Sequence, residues 1–269
     1  MYEFPLALVF AGVPIPGRSN PYIVLVTPNT PIGVDVDVEE SDKPLARVTG
    51  ASLGWRFELA VKSFVDTVAA RLEQPVSISL RVVLPSSLQY PPPASVYAAV
   101  TLAIVASVAE AGGYSMDPYE VLEAANSIDE EGGVGLDFID AMRTAIVRGE
   151  SIVYRRGEDS VPLSMGSRVE LELVGEDDIG EDMSRQLDES VMAAVTRLGG
   201  MAVVAAVQKL RSSDFSHVFQ LVSRVDNALF HLLYGVQTPE GPCKWTPSLQ
   251  RVYGVCLEAG LGDKVEFTL

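Results

Sequence analysis

Three stretches of the chain place side chains where they could do chemistry. In PGRSN, residues 16–20, Gly17 permits a tight turn and the Arg18 guanidinium can hold a carboxylate or a phosphate. The plainer reading of these residues alone is a Pro-Gly turn with a solvated arginine. In GGVGLDFIDAM, residues 132–142, glycines 132, 133 and 135 let the chain turn sharply into a helix that opens with Asp137. A carboxylate at a helix start has its ionised form favoured by the dipole, so Asp137 can orient or deprotonate an alcohol. It can also join Asp129, Glu130 or Glu131 around a divalent cation, or simply cap the helix.

The third stretch is LPSSLQYPPPASVYAAV, residues 84–100, a strand–loop–helix junction. Such junctions offer free N–H groups and a positive dipole end to an anion. Phosphate cradles there need glycines and N–H donors. Here Pro91, Pro92 and Pro93 remove three donors and stiffen the loop, although Ser86, Ser87 and Ser95 keep hydroxyls. On chemistry alone the loop is a poor phosphate binder.

Other reactive side chains are sparse. His217 and His231 are the only histidines and share one helical face without neighbouring ligands, which argues against zinc. Cys243 and Cys256 are too few for a disulfide framework, and neither sits in a CxxC.

The elements that must position these residues follow from hydrophobic periodicity. Tyr2–Phe10, Tyr22–Thr27 and Gly33–Glu39 read as strands separated by VPIPGRSNP and TPNTP. Trp55–Glu73 has helical spacing, and Val76–Leu84 alternates as a half-buried strand. Helices are expected from Ser95 to Glu110 and, opened by the Asp117-Pro118-Tyr119-Glu120 cap, to about Ser127. A further helix runs to about Val147, followed by strands at 151–156 and 168–174. The remainder is expected to be helical at 182–198, 201–212, 215–234 and 247–259, the last between Thr246-Pro247 and Gly260, before a closing strand 264–269. This order describes an α+β protein of two lobes, residues 1–165 and 166–269, divided near the acidic stretch VGEDDIGED.

Composition bounds the partners. With 269 residues, 48% hydrophobic and 21% charged, the chain can bury a sizeable core. A net charge of −16 disfavours nucleic acid and anionic membrane, both of which are bound through Lys and Arg. The longest apolar stretch, Val96–Ala109, is interrupted by polar residues and is short for a bilayer span, and Glu3 stands where a signal peptide would be basic. The expectation is a cytoplasmic protein whose Val- and Ala-rich helical faces would allow a homodimer.

Taken in order, these pieces resemble the GHMP kinase superfamily, which includes galactokinase and the homoserine, mevalonate and phosphomevalonate kinases, with archaeal pantoate kinase as a relative. PGR at 16–18 is similar to the first motif. Residues 85–94 lie without a gap on the second, P-x-G-x-G-L-G-S-S-A. Pro85 and Ala94 match; Ser87, Gln89 and Pro91 replace the three glycines, and Pro92 and Pro93 the two serines. GVGLDFIDAM and the following VRGESIVYRRG resemble the S-G-x-D segment and the strand after it, with a one-residue offset if compared with the T-G-L-G-D form. AGLGD, 259–263, would be a remnant of the third motif only with the register moved.

The resemblance implies a two-lobed GHMP-kinase-like fold, ATP and Mg2+, and transfer of the γ-phosphoryl group to a pantoate- or mevalonate-like hydroxyl. On it, Asp137 would be catalytic. Ser86, Ser87, Gln89, Tyr90 and Ser95 would face the nucleotide, with Tyr90 able to stack on a ring. Arg18 and Asn20 would hold the substrate, and Glu130 the metal; the strict mevalonate-kinase spacing falls on Asn126 instead. The alternative is a non-catalytic or altered GHMP-fold protein that binds a metabolite, or a protein partner through the apolar Leu88–Tyr90–Pro93 surface.

Overall fold

In the computed structural model, β1 (Tyr2–Ala11) pairs antiparallel with β2 (Tyr22–Glu40) and frames the loop that carries PGRSN. The described residues are 1–41, 43, 45–73, 76–133, 136–163, 165–178, 187–212 and 214–269. There follow β3 (Leu45–Thr49), α1 (Trp55–Leu72), β4 (Val76–Val83), α2 (Pro93–Ala111), α3 (Pro118–Glu131) and α4 (Asp137–Arg148). Then come β5 (Ile152–Tyr154), β6 (Val161–Pro162), β7 (Arg168–Asp178), α5 (Glu189–Leu210) and α6 (Phe215–Tyr234). The chain ends with β8 (Cys243–Ser248), β9 (Arg251–Cys256) and β10 (Asp263–Thr268).

One mixed sheet in the order β3-β4-β2-β10-β7-β9-β8 runs through the molecule, with β1 and β5 also paired to β2. The α+β class expected from the sequence is observed. The bridge between the two ends of the sheet is the last strand, which pairs with β7 along its length and touches β2 at Thr268 and Val26. Helix α2 is apolar all round and is swallowed by the core, every residue from Pro93 to Val105 being buried. By length and composition both α2 and α5 could cross a membrane, but α2 is largely buried inside the fold and α5 is largely not.

Several local expectations are corrected. The strands expected at 22–27 and 33–39 are one strand, because TPNTP is absorbed as an irregularity in the β1–β2 ladder between Pro5 and Ala7 rather than reversing the chain. Strand β3 was not foreseen; it is a short edge strand parallel to β4. Helix α3 continues past Ser127 to Glu131 before Gly132 ends it.

The helices expected at 182–198 and 201–212 are the single helix α5 over the described residues 189–210. Gly199-Gly200 is not a stop but a contact surface. A Cβ on Gly199 would lie 3.1 Å from Asn20 Nδ2, and one on Gly200 would lie 3.9 Å from Pro21. The helix expected at 247–259 is instead the hairpin β8–β9. Its β-branched and aromatic residues pair across the two strands, Thr246 with Tyr253 and Pro247 with Val252. Pro247 is tolerated because β8 is the outermost strand. Cys243 and Cys256 face each other on this hairpin and form a disulfide.

Candidate functional site

The loop between β1 and β2 is held as a rigid hook. Gly12 sits at φ +106°, and a Cβ there would come within 2.5 Å of the Pro21 carbonyl, so the neck of the loop closes only with glycine. Arg18 N–H donates to Ile15 O at 3.1 Å, and the Tyr234 hydroxyl donates to Pro14 O at 2.6 Å. Asn20 lies on the inner side, fully buried, with Nδ2 donating to Val13 O at 2.9 Å and its amide pressed against Gly199. Asn20 is therefore a structural tie of the hook, which corrects its expected role in binding substrate.

Arg18 lies on the open side. Together with Gly17, Ser19, Tyr22, Asp137, Arg156 and Tyr234 it lines a cavity of about 530 Å³. Helix α4 delivers Asp137 as its first residue. The cap is Leu136, and no side chain caps the helix, so the reading of Asp137 as a capping residue is set aside. The Arg18 guanidinium donates to Glu189 at the start of α5.

The centre of the site is Arg156, just after β5. Its Nη1 donates to Asp137 Oδ1 at 3.1 Å, its Nη2 donates to Glu130, and its Nε lies 4.0 Å from Asp140 Oδ2. The structure thus brings Arg18, Asp137 and Glu130 to one region, with Arg156 as the link. The spacing Asp137, Asp140, Arg143 puts all three on one helical side, a signal the sequence contained. Burial pushes the Asp140 carboxyl up to about 6, against the pull of Arg143 and Arg156. Burial, aided by the charges of Asp137 and Asp140, likewise raises the phenols of Tyr22 and Tyr154.

Beneath the cavity Arg143 is wholly buried. It donates to Asp129, to Thr101 Oγ1 at 2.8 and 3.0 Å, and to Asn126 Oδ1 at 3.1 Å. The Tyr97 hydroxyl donates to the other Asp129 oxygen at 2.6 Å. Asp129 and Asn126 are therefore committed to this internal network.

The proline loop lies elsewhere; none of Ser86, Ser87, Gln89, Tyr90 or Ser95 lines the cavity. The N–H groups of Gln89 and Tyr90 both donate to Asp263 Oδ2 of β10, at 2.5 and 2.7 Å. The Tyr253 hydroxyl of β9 donates to the Tyr90 carbonyl. Ser95 is fully buried, and its hydroxyl accepts the Ala7 N–H at 2.9 Å. Ser86 and Ser87 are exposed.

These residues do not fit the groups implied by the resemblance. Where phosphate oxygens would meet N–H donors, an internal carboxylate already takes two, and prolines supply none. The roles expected for Gln89, Tyr90 and Ser95 are corrected accordingly. Glu130 does not stand open to a cation either, because the Arg156 guanidinium occupies the space among Glu130, Asp137 and Asp140. Among the described residues no group of three or more His, Cys, Asp or Glu is placed to hold a metal ion.

No protein-family model matches the sequence, and no curated protein matches it either. Solved structures do match the fold. Mevalonate kinase from L. major, determined in complex with R-mevalonate, is 16% identical; the match covers 97% of this chain and 88% of that one, with a TM-score of 0.62. The mevalonate diphosphate decarboxylase of Enterococcus faecalis is 8% identical over 98% of this chain and 94% of its own, also with a TM-score of 0.62. Phosphomevalonate kinase from Streptococcus pneumoniae is 9% identical over 96% and 91%, with a TM-score of 0.50. The chain has the fold of the GHMP kinases.

Proposed function

We propose that this protein binds a small anionic hydroxy compound, pantoate- or mevalonate-like, in the Arg18–Arg156–Asp137 cavity, and that it does so without a nucleotide in the loop at 85–94. The observation that carries this reading is the Asp263 carboxylate on the N–H groups of Gln89 and Tyr90. A ligand carboxylate or phosphate meets two guanidiniums, each now neutralised by an exchangeable side chain: Arg18 by Glu189, Arg156 by Glu130 and Asp137. The ligand hydroxyl meets Asp137 at the positive end of α4. Tyr22 and Tyr234 close the sides. Fold likeness to a mevalonate kinase bound to R-mevalonate supports the substrate class by analogy.

The test is a thermal-shift and calorimetric series with mevalonate, pantoate and their phosphate esters, and separately with Mg-ATP. A hydroxy acid is expected to raise the melting temperature by mass action on the folded state. Arg156→Ala should abolish that shift, and Mg-ATP should give none. A shift with Mg-ATP that survives Arg156→Ala would return the protein to the kinase reading, and indifference to the whole hydroxy-acid series would remove the ligand class.

A further inference from the structure

Helix α5 turns Val195, Gly199, Ala202, Val203 and Ala206 inward. Its other side is apolar and, among the described residues, uncovered: Leu198 is 49% exposed, Met201 60% and Val204 55%. Along that side Val191, Ala194, Leu198, Met201, Ala205 and Gln208 recur at alternate steps of three and four. This is the 3.5-residue period with which one helix lays a seam against another.

We propose that this face pairs with the same face of a second copy, antiparallel, about a two-fold axis passing between Gly199 and Gly200. In such an isologous contact each residue meets its mirror number across the axis. Leu198 then meets Met201 of the partner subunit, and Ala194 meets the partner's Ala205, so large sits with large and small with small. The ends agree in charge. Asp188 falls beside Arg211 of the partner subunit, and Ser190 beside the partner's Lys209, with Glu189 between them. Lys209 and Arg211 are exposed and form no ion pair among the described residues. The acidic start of one helix thus faces the basic finish of the other at both ends, and the two helix dipoles oppose. A parallel pairing would set Lys209 against Lys209.

A lipid surface fits the same face less well. Arg197 stands on the exposed side, and the net charge of −16 repels anionic headgroups. A face about 33 Å long and one helix wide, at 1.5 Å per residue, lies at the small end of specific interfaces, so a micromolar dimer is expected.

Analytical ultracentrifugation of the full chain, from low to high micromolar concentration, tests this. The wild type should move from monomer to dimer. Leu198→Glu with Met201→Glu should stay monomeric while keeping the wild-type far-UV spectrum and melting temperature. Lys209→Glu with Arg211→Glu, at exposed positions, should weaken the dimer about tenfold, because opposite charges at each end become like charges. An unchanged dimer in that variant would sink the antiparallel arrangement. A chain that stays monomeric throughout, that dimerises despite the Leu198 and Met201 changes, or that instead co-sediments as a monomer with lipid vesicles overturns the proposal.

Discussion

The Asp263 carboxylate accepts the backbone N–H of Tyr90 at 2.7 Å, joining a loop and a strand that lie 173 residues apart. It accepts the Gln89 N–H as well, so one side chain holds the proline loop against the C-terminal half of the sheet. Asp263→Ala should cost about 1–2 kcal/mol, since water can replace the acceptor at this partly exposed position. Hydrogen exchange read at Gln89 and Tyr90 should quicken sharply while the α2 amides stay protected. Unaltered exchange at those two amides would show that the clamp is not what orders the loop.

Asp140 predicts a pH dependence of folding. Its carboxyl lies against Arg143 of its own helix and Arg156, with Asp137, Asp129 and the Tyr154 phenol nearby, and is pushed from 3.8 up to about 6, chiefly by burial. A raised folded value means the stabilising form is the protonated one. Its contribution is complete below the unfolded value near 3.8 and is lost as pH climbs through about 6. Between pH 4 and 7 the wild type should therefore lose about 2–3 kcal/mol relative to Asp140→Asn. Urea unfolding of both proteins across that window measures the difference; parallel curves would refute it.

Arg143 should be among the most sensitive positions in the chain. It is wholly buried with Asp129, and its guanidinium also lies over the rings of Phe64 and Tyr97. Arg143→Met strands two buried carboxylates and should cost about 3–5 kcal/mol. Adding Asp129→Leu should recover part of that loss, because a buried charge without a cation is the larger penalty. A double variant no better than the single one would assign the loss to packing instead.

The two glycines of α5 should answer oppositely to alanine. At Gly200 a new Cβ makes ordinary contact with Pro21, so the helix gains about 0.5–1 kcal/mol. At Gly199 the same Cβ presses on the buried Asn20 amide and disturbs the bond to Val13 O, so the gain should be cancelled or reversed. Chemical denaturation of Gly199→Ala and Gly200→Ala distinguishes the two.

Periodicity found most of the first half of the fold, since α1, β4, α2 and α4 each bury one regular face or, for α2, all of them. It failed where tertiary contact overrode a local signal. Thr246-Pro247 has the look of a helix start, yet the segment is tied into a ladder by partners on β9 and at β7. Gly199-Gly200 has the look of a stop until the hook beneath it is in place. In the site, Arg18, Asp137 and Glu130 were visible as charged residues beside glycines. Arg156 was not, because what gives it meaning is proximity across helix α3, helix α4 and the end of β5. The shortage of donors in the loop at 85–94 is plain from its three prolines, but nothing local shows that Asp263 takes the N–H groups of Gln89 and Tyr90.

The disulfide at the open end of the β8–β9 hairpin makes residues 243–256 a covalent ring. When the chain is denatured this ring stays closed, which narrows the unfolded ensemble rather than adding a contact to the native one. The margin of the sheet farthest from the N-terminal strands is therefore the one place where the chain's freedom is limited by a covalent bond as well as by packing.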